Sequence, residues 1–117
     1  MRSKEKKTIE IVVFLHVSLN KYGLLGKNLA HSFSKDFFTQ LFQDKSLAAT
    51  YDLIELDSSK SLTTFFKEKI NTYRGLNVTV PYKERVMPLL DDIDNEALVI
   101  GAVNTIKVNE SGRIMGY

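Results

Sequence analysis

Residues 50–80 read TYDLIELDSSKSLTTFFKEKINTYRGLNVTV, and this stretch decides the fold. Apolar side chains alternate over residues 50–56, and residues 75–80 form another apolar run ahead of a proline, so both predict strands. A helix is expected to begin between them, at Ser58 or Ser59. Its core-facing side chains are expected to be Leu62, Phe65, Phe66 and Ile70. A strand, a helix and a strand in succession favour parallel pairing of the two strands.

Strands and helices continue to alternate on both sides of this stretch. Upstream, residues 22–26 predict a buried strand, and Ser34 can cap a helix over residues 35–42. The apolar face of that helix is expected to comprise Phe37, Phe38, Leu41 and Phe42. Downstream, two helical stretches are expected, one over residues 81–90 and another near residues 94–99.

The chain closes with a predicted antiparallel hairpin. Residues 102–108 and 113–117 are its strands, and the turn-rich residues 109–112 join them. The whole pattern predicts an α/β fold, a three-layer sandwich with a mostly parallel mixed sheet and this hairpin at its C-terminal end.

Composition excludes several classes of protein. The chain has 117 residues, 44% of them hydrophobic and 26% charged, which is typical of one globular domain. Sixteen Lys and Arg against fourteen Asp and Glu leave a net charge of +2, too balanced to predict nucleic-acid binding. The sequence has no cysteine, which excludes disulfides and thiolate chemistry. Its two histidines, His16 and His31, are far apart, so no metal site is predicted.

The first twenty residues differ from the rest of the chain. Residues 1–7 are basic, and residues 9–19 are apolar apart from a glutamate, a histidine and a serine. A signal peptide is the less favoured interpretation, because no small-residue cleavage site follows the apolar run. The run is also shorter than the roughly 20 residues that span a bilayer. We expect residues 1–20 to be an extension, either an extra strand or poorly ordered, in which His16 has no function. One domain follows, over residues 21–117.

Polar side chains interrupt the apolar pattern at three places, each where a strand meets a helix. The first is GKNLAHSFS, residues 26–34. Ser32 and Ser34 stand just before a helix, so their hydroxyls can join its N-terminal amides around one anion. A turn serine followed by a helix cap explains the same residues and is favoured on spacing alone. Neither G-x-G-x-x-G nor G-x-x-x-x-G-K-[ST] occurs, so no phosphate loop is predicted.

The second cluster is NVTVPYK, residues 77–83. Asn77 and Thr79 share a face near the C-terminal end of their strand, where ligands bind in open α/β sheets. Lys83 falls in a first helical turn, where the macrodipole disfavours a cation and so favours proton exchange near neutral pH. A solvated lysine paired with Glu84 or another carboxylate is the alternative.

The third cluster is GAVNT, residues 101–105. Asn104 enters a strand after a glycine and can offer both a donor and an acceptor to a ligand hydroxyl. It can equally satisfy a turn, which is the more common role of such an asparagine. The third cluster alone therefore predicts no ligand.

Together, in this order, the three clusters resemble the N-terminal substrate-binding domain of the shikimate dehydrogenases. The family pattern is a Ser-x-Ser loop, then Asn-Val-Thr-x-Pro-x-Lys, then Gly-Ala-Val-Asn-Thr, and the resemblance covers residues 22–117. It implies an oxidoreductase that reduces 3-dehydroshikimate to shikimate with NADPH, in the shikimate pathway of aromatic amino-acid biosynthesis. It also implies a cytoplasmic location and a small-molecule substrate, with no nucleic-acid or membrane partner.

The resemblance implies a role for each motif residue. The substrate carboxylate would be bound by Ser32 and Ser34, and Thr79 would help close that site. Lys83 would contact the substrate and act as the catalytic residue beside the carbonyl that is reduced. The ring hydroxyls would be held by two further side chains, Asn77 and Asn104. NADP would be bound by a C-terminal domain, so this chain is expected to contribute no cofactor-binding and no metal-binding residue.

The sequence departs from the family pattern at three points. The family has a proline near Asn28 and another after the second serine, where Lys35 stands. The first loss is expected to loosen the loop, and the second removes a favoured residue from position N1 of the helix. The chain also ends at Tyr117, ahead of the family's Asn-Thr-Asp segment and its nucleotide-binding domain. We therefore expect a fragment that is inactive alone.

Two alternatives to an enzyme fragment stay open at this point. One is a stand-alone module that binds shikimate or quinate without redox activity, and the other is a structural protein in which the motifs are relics. Continuing the reading frame past Tyr117 separates fragment from module. Ligand-observed NMR with shikimate tests the third possibility.

Overall fold

A six-stranded sheet organises the structure, a computed structural model that describes residues 20–117. Its strands are β1 (Asn20–Gly26), β2 (Ala49–Glu55), β3 (Gly75–Val78), β4 (Asp92–Ile93), β5 (Thr105–Val108) and β6 (Ile114–Gly116). The helices are α1 (Ser34–Asp44), α2 (Ser59–Glu68), α3 (Tyr82–Arg85) and α4 (Asn95–Ile100). Two 3-10 turns lie at Ile70–Thr72 and Met87–Leu89. Residues 1–19 of the expected extension, His16 included, lie outside the described residues.

The strand order is β2-β1-β3-β5-β6-β4. β1 pairs in parallel with both β2 and β3, and β4 pairs in parallel with β6. β5 runs antiparallel to both of its neighbours, β3 and β6. Separate hydrophobic cores, one containing side chains of α2 and the other packed against side chains of α1, place helices on both faces of the sheet. The predicted three-layer α/β sandwich with a C-terminal antiparallel hairpin is therefore confirmed.

The larger core, here called the major core, lies between the sheet and α2, α3 and α4. Alternation along β5 shows how the sheet builds it, because Ile106 and Val108 are buried while Thr105 and Lys107 are exposed. The side chains of α2 predicted to face the core are all buried there: Leu62, Phe65, Phe66 and Ile70, the last in the following 3-10 turn. Tyr82, Val86, Val103 and Leu25 complete its most buried part.

The smaller core, here called the minor core, lies between α1 and the opposite face of β1 and β2. It consists of Leu24, Leu29 and Tyr51, with Tyr22, Phe38, Phe42 and Leu53 packed partly buried around them. Helix α1 has no buried residue, and Phe37, predicted to share its apolar face, is 62% exposed. That part of the prediction is wrong, because Phe38 and Phe42 pack against the minor core while Phe37 lies on the exposed side of α1.

Several element boundaries differ from the sequence prediction. β3 ends at Val78 rather than at Val80, and the predicted helix after it is divided into α3 and a 3-10 turn. The strand β4 was not predicted, since two residues are too few to show a period. Within residues 20–117, every helix falls short of the length and apolar character that a membrane-spanning helix requires.

Candidate functional site

The three polar clusters meet at the carboxyl ends of β1 and β3. The Thr79 N–H donates to the Leu25 carbonyl oxygen (2.9 Å), which joins the second cluster to the end of β1. The Val78 N–H donates to the Asn104 carbonyl oxygen (2.7 Å), which places the third cluster beside the second. The Val103 N–H donates to the Lys83 carbonyl oxygen (2.8 Å) and ties α3 to the same loop. Backbone pairing thus brings together segments that are far apart in the sequence.

The serine loop is organised around the start of α1. The Ser34 N–H donates to the Ser32 Oγ (3.2 Å), so Ser32 uses its oxygen as an acceptor and keeps its proton for a ligand. Phe33 occupies the N-cap position without a side-chain bond, and Ser34 is the first residue of the helix. The expectation that Ser34 caps the helix and Lys35 stands at N1 is therefore wrong by one residue. The Ser34 hydroxyl consequently has no capping role.

Two contacts hold this loop against the sheet. The Leu29 N–H donates to the Glu55 Oε1 (2.9 Å), so the carboxylate at the end of β2 anchors the loop. A Cβ at Gly26 would lie 2.6 Å from Thr79 Cγ2 and 2.8 Å from Leu29 Cδ2, so only glycine lets the three residues pack this closely. Thr79, predicted to close the carboxylate site, therefore lies directly against the start of the serine loop.

Asn77 is engaged by a tyrosine that the sequence analysis assigned only to a strand. The Tyr51 hydroxyl donates to the Asn77 Oδ1 (2.9 Å), and Tyr51 is 3% exposed. Burial raises the pKa of Tyr51 to about 12, while the neighbouring Ser34 side chain acts in the opposite direction. Tyr51 therefore joins the minor core to Asn77. No motif could have revealed this, because the partners are 26 residues apart.

Lys83 and Asn104 complete the set of predicted residues. Lys83 is half-buried in α3, and among residues 20–117 no carboxylate oxygen lies within 4.0 Å of its Nζ. The alternative of an ion pair with Glu84 is thus not seen. Because α3 is a single turn of four residues, it supplies only a small part of a helix macrodipole. Asn104 is exposed, and its backbone N–H donates to the Tyr117 carbonyl oxygen (2.7 Å).

A groove of about 860 Å³ runs along the sheet beside the minor core. Its lining includes Tyr22, Tyr51, Asn77, Thr105 and Lys107. Of the predicted site residues only Asn77 lines it, so the groove adjoins the candidate site at Asn77 and Tyr51 rather than containing it. Within the described part of the chain, no group of three His, Cys, Asp or Glu side chains could hold a metal ion.

Comparisons with known proteins give consistent results. A family model described as the shikimate dehydrogenase substrate binding domain matches residues 24–106. The chain is 41% identical over 96 residues to the shikimate dehydrogenase (NADP(+)) of Clostridium beijerinckii, a match covering 82% of this chain and 35% of that protein.

Solved structures agree. The crystal structure of shikimate dehydrogenase 1 from Peptoclostridium difficile is similar with a TM-score of 0.77 at 38% identity, over 84% of this chain and 36% of that one. The shikimate 5-dehydrogenase of Thermus thermophilus in complex with shikimate gives 0.76 at 32% identity, over 83% and 37% of the two chains. The chain thus spans about a third of the length of the relatives it matches.

Proposed function

The chain belongs to the family of shikimate dehydrogenase substrate-binding domains, and from that premise we propose that it binds shikimate and 3-dehydroshikimate as the substrate-binding part of an NADP-dependent shikimate dehydrogenase. The domain extends over residues 21–117 and follows an extension of residues 1–20. The observation that carries the proposal is the meeting of the serine loop, Asn77 and the Asn104 loop at one edge of the sheet.

The polar groups at this edge suit a polyhydroxylated acid. The hydroxyl groups of Ser32 and Ser34, held together by the bond from the Ser34 N–H to the Ser32 Oγ at the start of α1, form a cradle for a carboxylate. Thr79 closes that cradle from the second cluster. The ring hydroxyls are held by neutral amides, those of Asn77 and Asn104. Such a site orients its ligand by a few placed hydrogen bonds.

Lys83 is the residue we assign to the chemistry. Reduction of the ketone adds a hydride to carbon and a proton to oxygen, and NADPH supplies the hydride when bound. The ammonium group of Lys83 donates the proton to the carbonyl oxygen and offsets negative charge that develops there. The absence of a carboxylate partner within residues 20–117 leaves this ammonium free for that role.

The cofactor does not fit the residues of this chain. Neither phosphate-loop pattern occurs in the sequence, so we assign the dinucleotide no contact here. The matched relatives carry NADP(+) in their names, and the chain covers about a third of their length. We place NADP binding in the portion of the protein outside this match. A biosynthetic role of this kind places the protein in the cytoplasm, with a small-molecule substrate and no nucleic-acid or membrane partner.

Titration of the 117-residue chain with shikimate, followed by two-dimensional amide NMR, tests the binding half of this proposal. We expect the backbone amides of Ser32, Ser34 and Asn104 to shift with one common dissociation constant. Amides of α2, beneath the opposite face of the sheet, serve as the internal control and stay in place. Absence of shifts, or shifts confined to α2, contradicts the proposal.

A chimera tests the catalytic half. Residues 21–117 replace the matched segment of the Clostridium beijerinckii enzyme, and the NADPH-dependent reduction of 3-dehydroshikimate is measured. Lys83→Ala is expected to lower kcat at least about a hundredfold with little change in KM, because general acid catalysis acts in the transition state. Lys67→Ala, an exposed lysine in the last turn of α2, is the matched control. A Lys83→Ala chimera with normal kcat and raised KM would make Lys83 a binding residue only.

A further inference from the structure

We propose that Tyr51 is a positioning residue, whose hydroxyl fixes the orientation of the Asn77 side-chain amide so that its N–H groups face the substrate. The assignment rests on the proposed function, in which Asn77 holds a ring hydroxyl. The observation that supports this assignment is the hydrogen bond from the Tyr51 hydroxyl to the Asn77 Oδ1, at 2.9 Å.

Sheet register explains why a tyrosine is needed at this position. Tyr51 on β2 stands opposite Tyr22 of β1, and Asn77 on β3 stands opposite Leu24 of β1. Neighbouring strands are about 4.8 Å apart, so β2 and β3 are separated by roughly 10 Å, with β1 between them. A phenol ring is long enough to carry a hydroxyl across the intervening strand. A serine or asparagine at position 51 is too short.

The tyrosine is itself held in place. Its ring stacks on Phe38 of α1 with centroids 4.7 Å apart and planes within 15° of parallel. It is 3% exposed and belongs to the minor core with Leu24 and Leu29. Because the ring is buried and stacked on Phe38, its hydroxyl presents a donor at one point in space, which is the requirement for orienting a second side chain.

The orientation matters because an amide has two different ends. Asn77 has an acceptor oxygen and an NH₂ group, and a 180° rotation exchanges them. A donor that occupies the oxygen leaves the two N–H donors for a ligand oxygen. With its pKa at about 12, the phenol stays protonated, and therefore stays a donor, throughout the neutral range.

The experiment uses Tyr51→Phe in the 117-residue chain, which keeps the ring on Phe38 and removes only the oxygen. The matched control is Tyr22→Phe, the register partner on β1, whose hydroxyl has no hydrogen-bond partner among residues 20–117. We expect shikimate affinity to fall about fivefold in Tyr51→Phe, the effect of one hydrogen bond, and to stay unchanged in Tyr22→Phe. In an Asn77→Ala background, Tyr51→Phe should cause no further loss.

A spectroscopic readout separates orientation from general stability and from the proposed function. The side-chain ¹⁵N and ¹H resonances of Asn77 are expected to shift in Tyr51→Phe without ligand and to stay in place in Tyr22→Phe. If these resonances are unchanged, or if the affinity loss persists in Asn77→Ala, the positioning role is overturned. If the wild-type chain does not bind shikimate while the resonances shift as expected, the orientation of Asn77 stands and the proposed function fails.

Discussion

The two faces of the sheet are covered to different extents. The major core covers one face with α2, α3 and α4, and it contains nearly all the fully buried side chains described. The minor core covers part of the other face with α1 alone, beside a groove of about 860 Å³. β5 shows the division within four residues, since its apolar side chains enter the major core and its polar ones face the groove. Stability is therefore expected to come mainly from the major core, whereas the candidate site lies at the carboxyl ends of β1 and β3, beside the minor core.

The largest test of this contrast is a pair of identical substitutions in the two helices. Leu62 of α2 is 2% exposed in the major core, whereas Leu41 of α1 is only partly buried. Leu62→Ala is expected to lower the free energy of unfolding by about 2–5 kcal/mol, because it leaves a cavity. Leu41→Ala should cost about 1 kcal/mol, in proportion to the smaller area it buries. Urea unfolding followed by circular dichroism measures both, and equal losses would contradict the contrast.

The complementary test removes hydroxyls at the candidate site. The double variant Ser32→Ala/Ser34→Ala is expected to weaken shikimate binding at least about tenfold, since charge-assisted hydrogen bonds contribute about 1.5–3 kcal/mol each. Ser58→Ala/Ser61→Ala is the matched control, because it removes two serines at the start of α2. Calorimetric titration should show the control binding like the wild type. Unchanged affinity in the first variant would leave Ser32 as a turn residue and Ser34 as a helix residue, with no role in binding.

A smaller effect distinguishes the starts of the two helices. The Ser58 Oγ accepts from the Ser61 N–H and caps α2, whereas Ser34 makes no capping bond in α1. Ser58→Ala is expected to lower the free energy of unfolding by about 1 kcal/mol. Ser34→Ala should change it by less than about 0.5 kcal/mol. A larger loss for Ser34→Ala in urea unfolding would restore its role as a cap.

The last test concerns the loss of stability at alkaline pH. Burial raises the pKa of Tyr51 from 10.0 to about 12, so the unfolded chain releases this proton first as the pH rises. The contribution to stability is complete below pH 10 and is lost between about pH 10 and 12. Burial also raises the pKa values of Tyr73 and Tyr82, so wild-type stability falls steeply there. Urea midpoints at pH 9, 10 and 11 should fall less in Tyr51→Phe, and an identical fall would contradict the shift.

The features that could be predicted from the sequence also differ between the major core and the minor core. The four core positions of α2 and its following 3-10 turn were predictable because helical spacing is a local signal. All four side chains are buried in the major core. The exposure of Phe37 was not predictable from the sequence, since it depends on which other elements cover α1. The role of Tyr51 was not predictable either, because it depends on a register that spans three strands. Site residues Asn77, Thr79 and Lys83 were predicted from motif and resemblance, and their roles stay predictions.

The close packing at Gly26 restricts how this sequence can evolve. Any larger residue at position 26 would collide with the methyl group of Thr79, whose branched side chain has little rotational freedom. Relief requires a smaller residue at position 79, which carries a hydroxyl of the proposed carboxylate site, together with a shift of Leu29, whose Cδ2 would lie 2.8 Å from the same Cβ. A lineage that acquires a larger residue at position 26 must therefore change the first and second clusters together. Randomised libraries of this domain should recover non-glycine residues at position 26 only with serine, alanine or glycine at position 79.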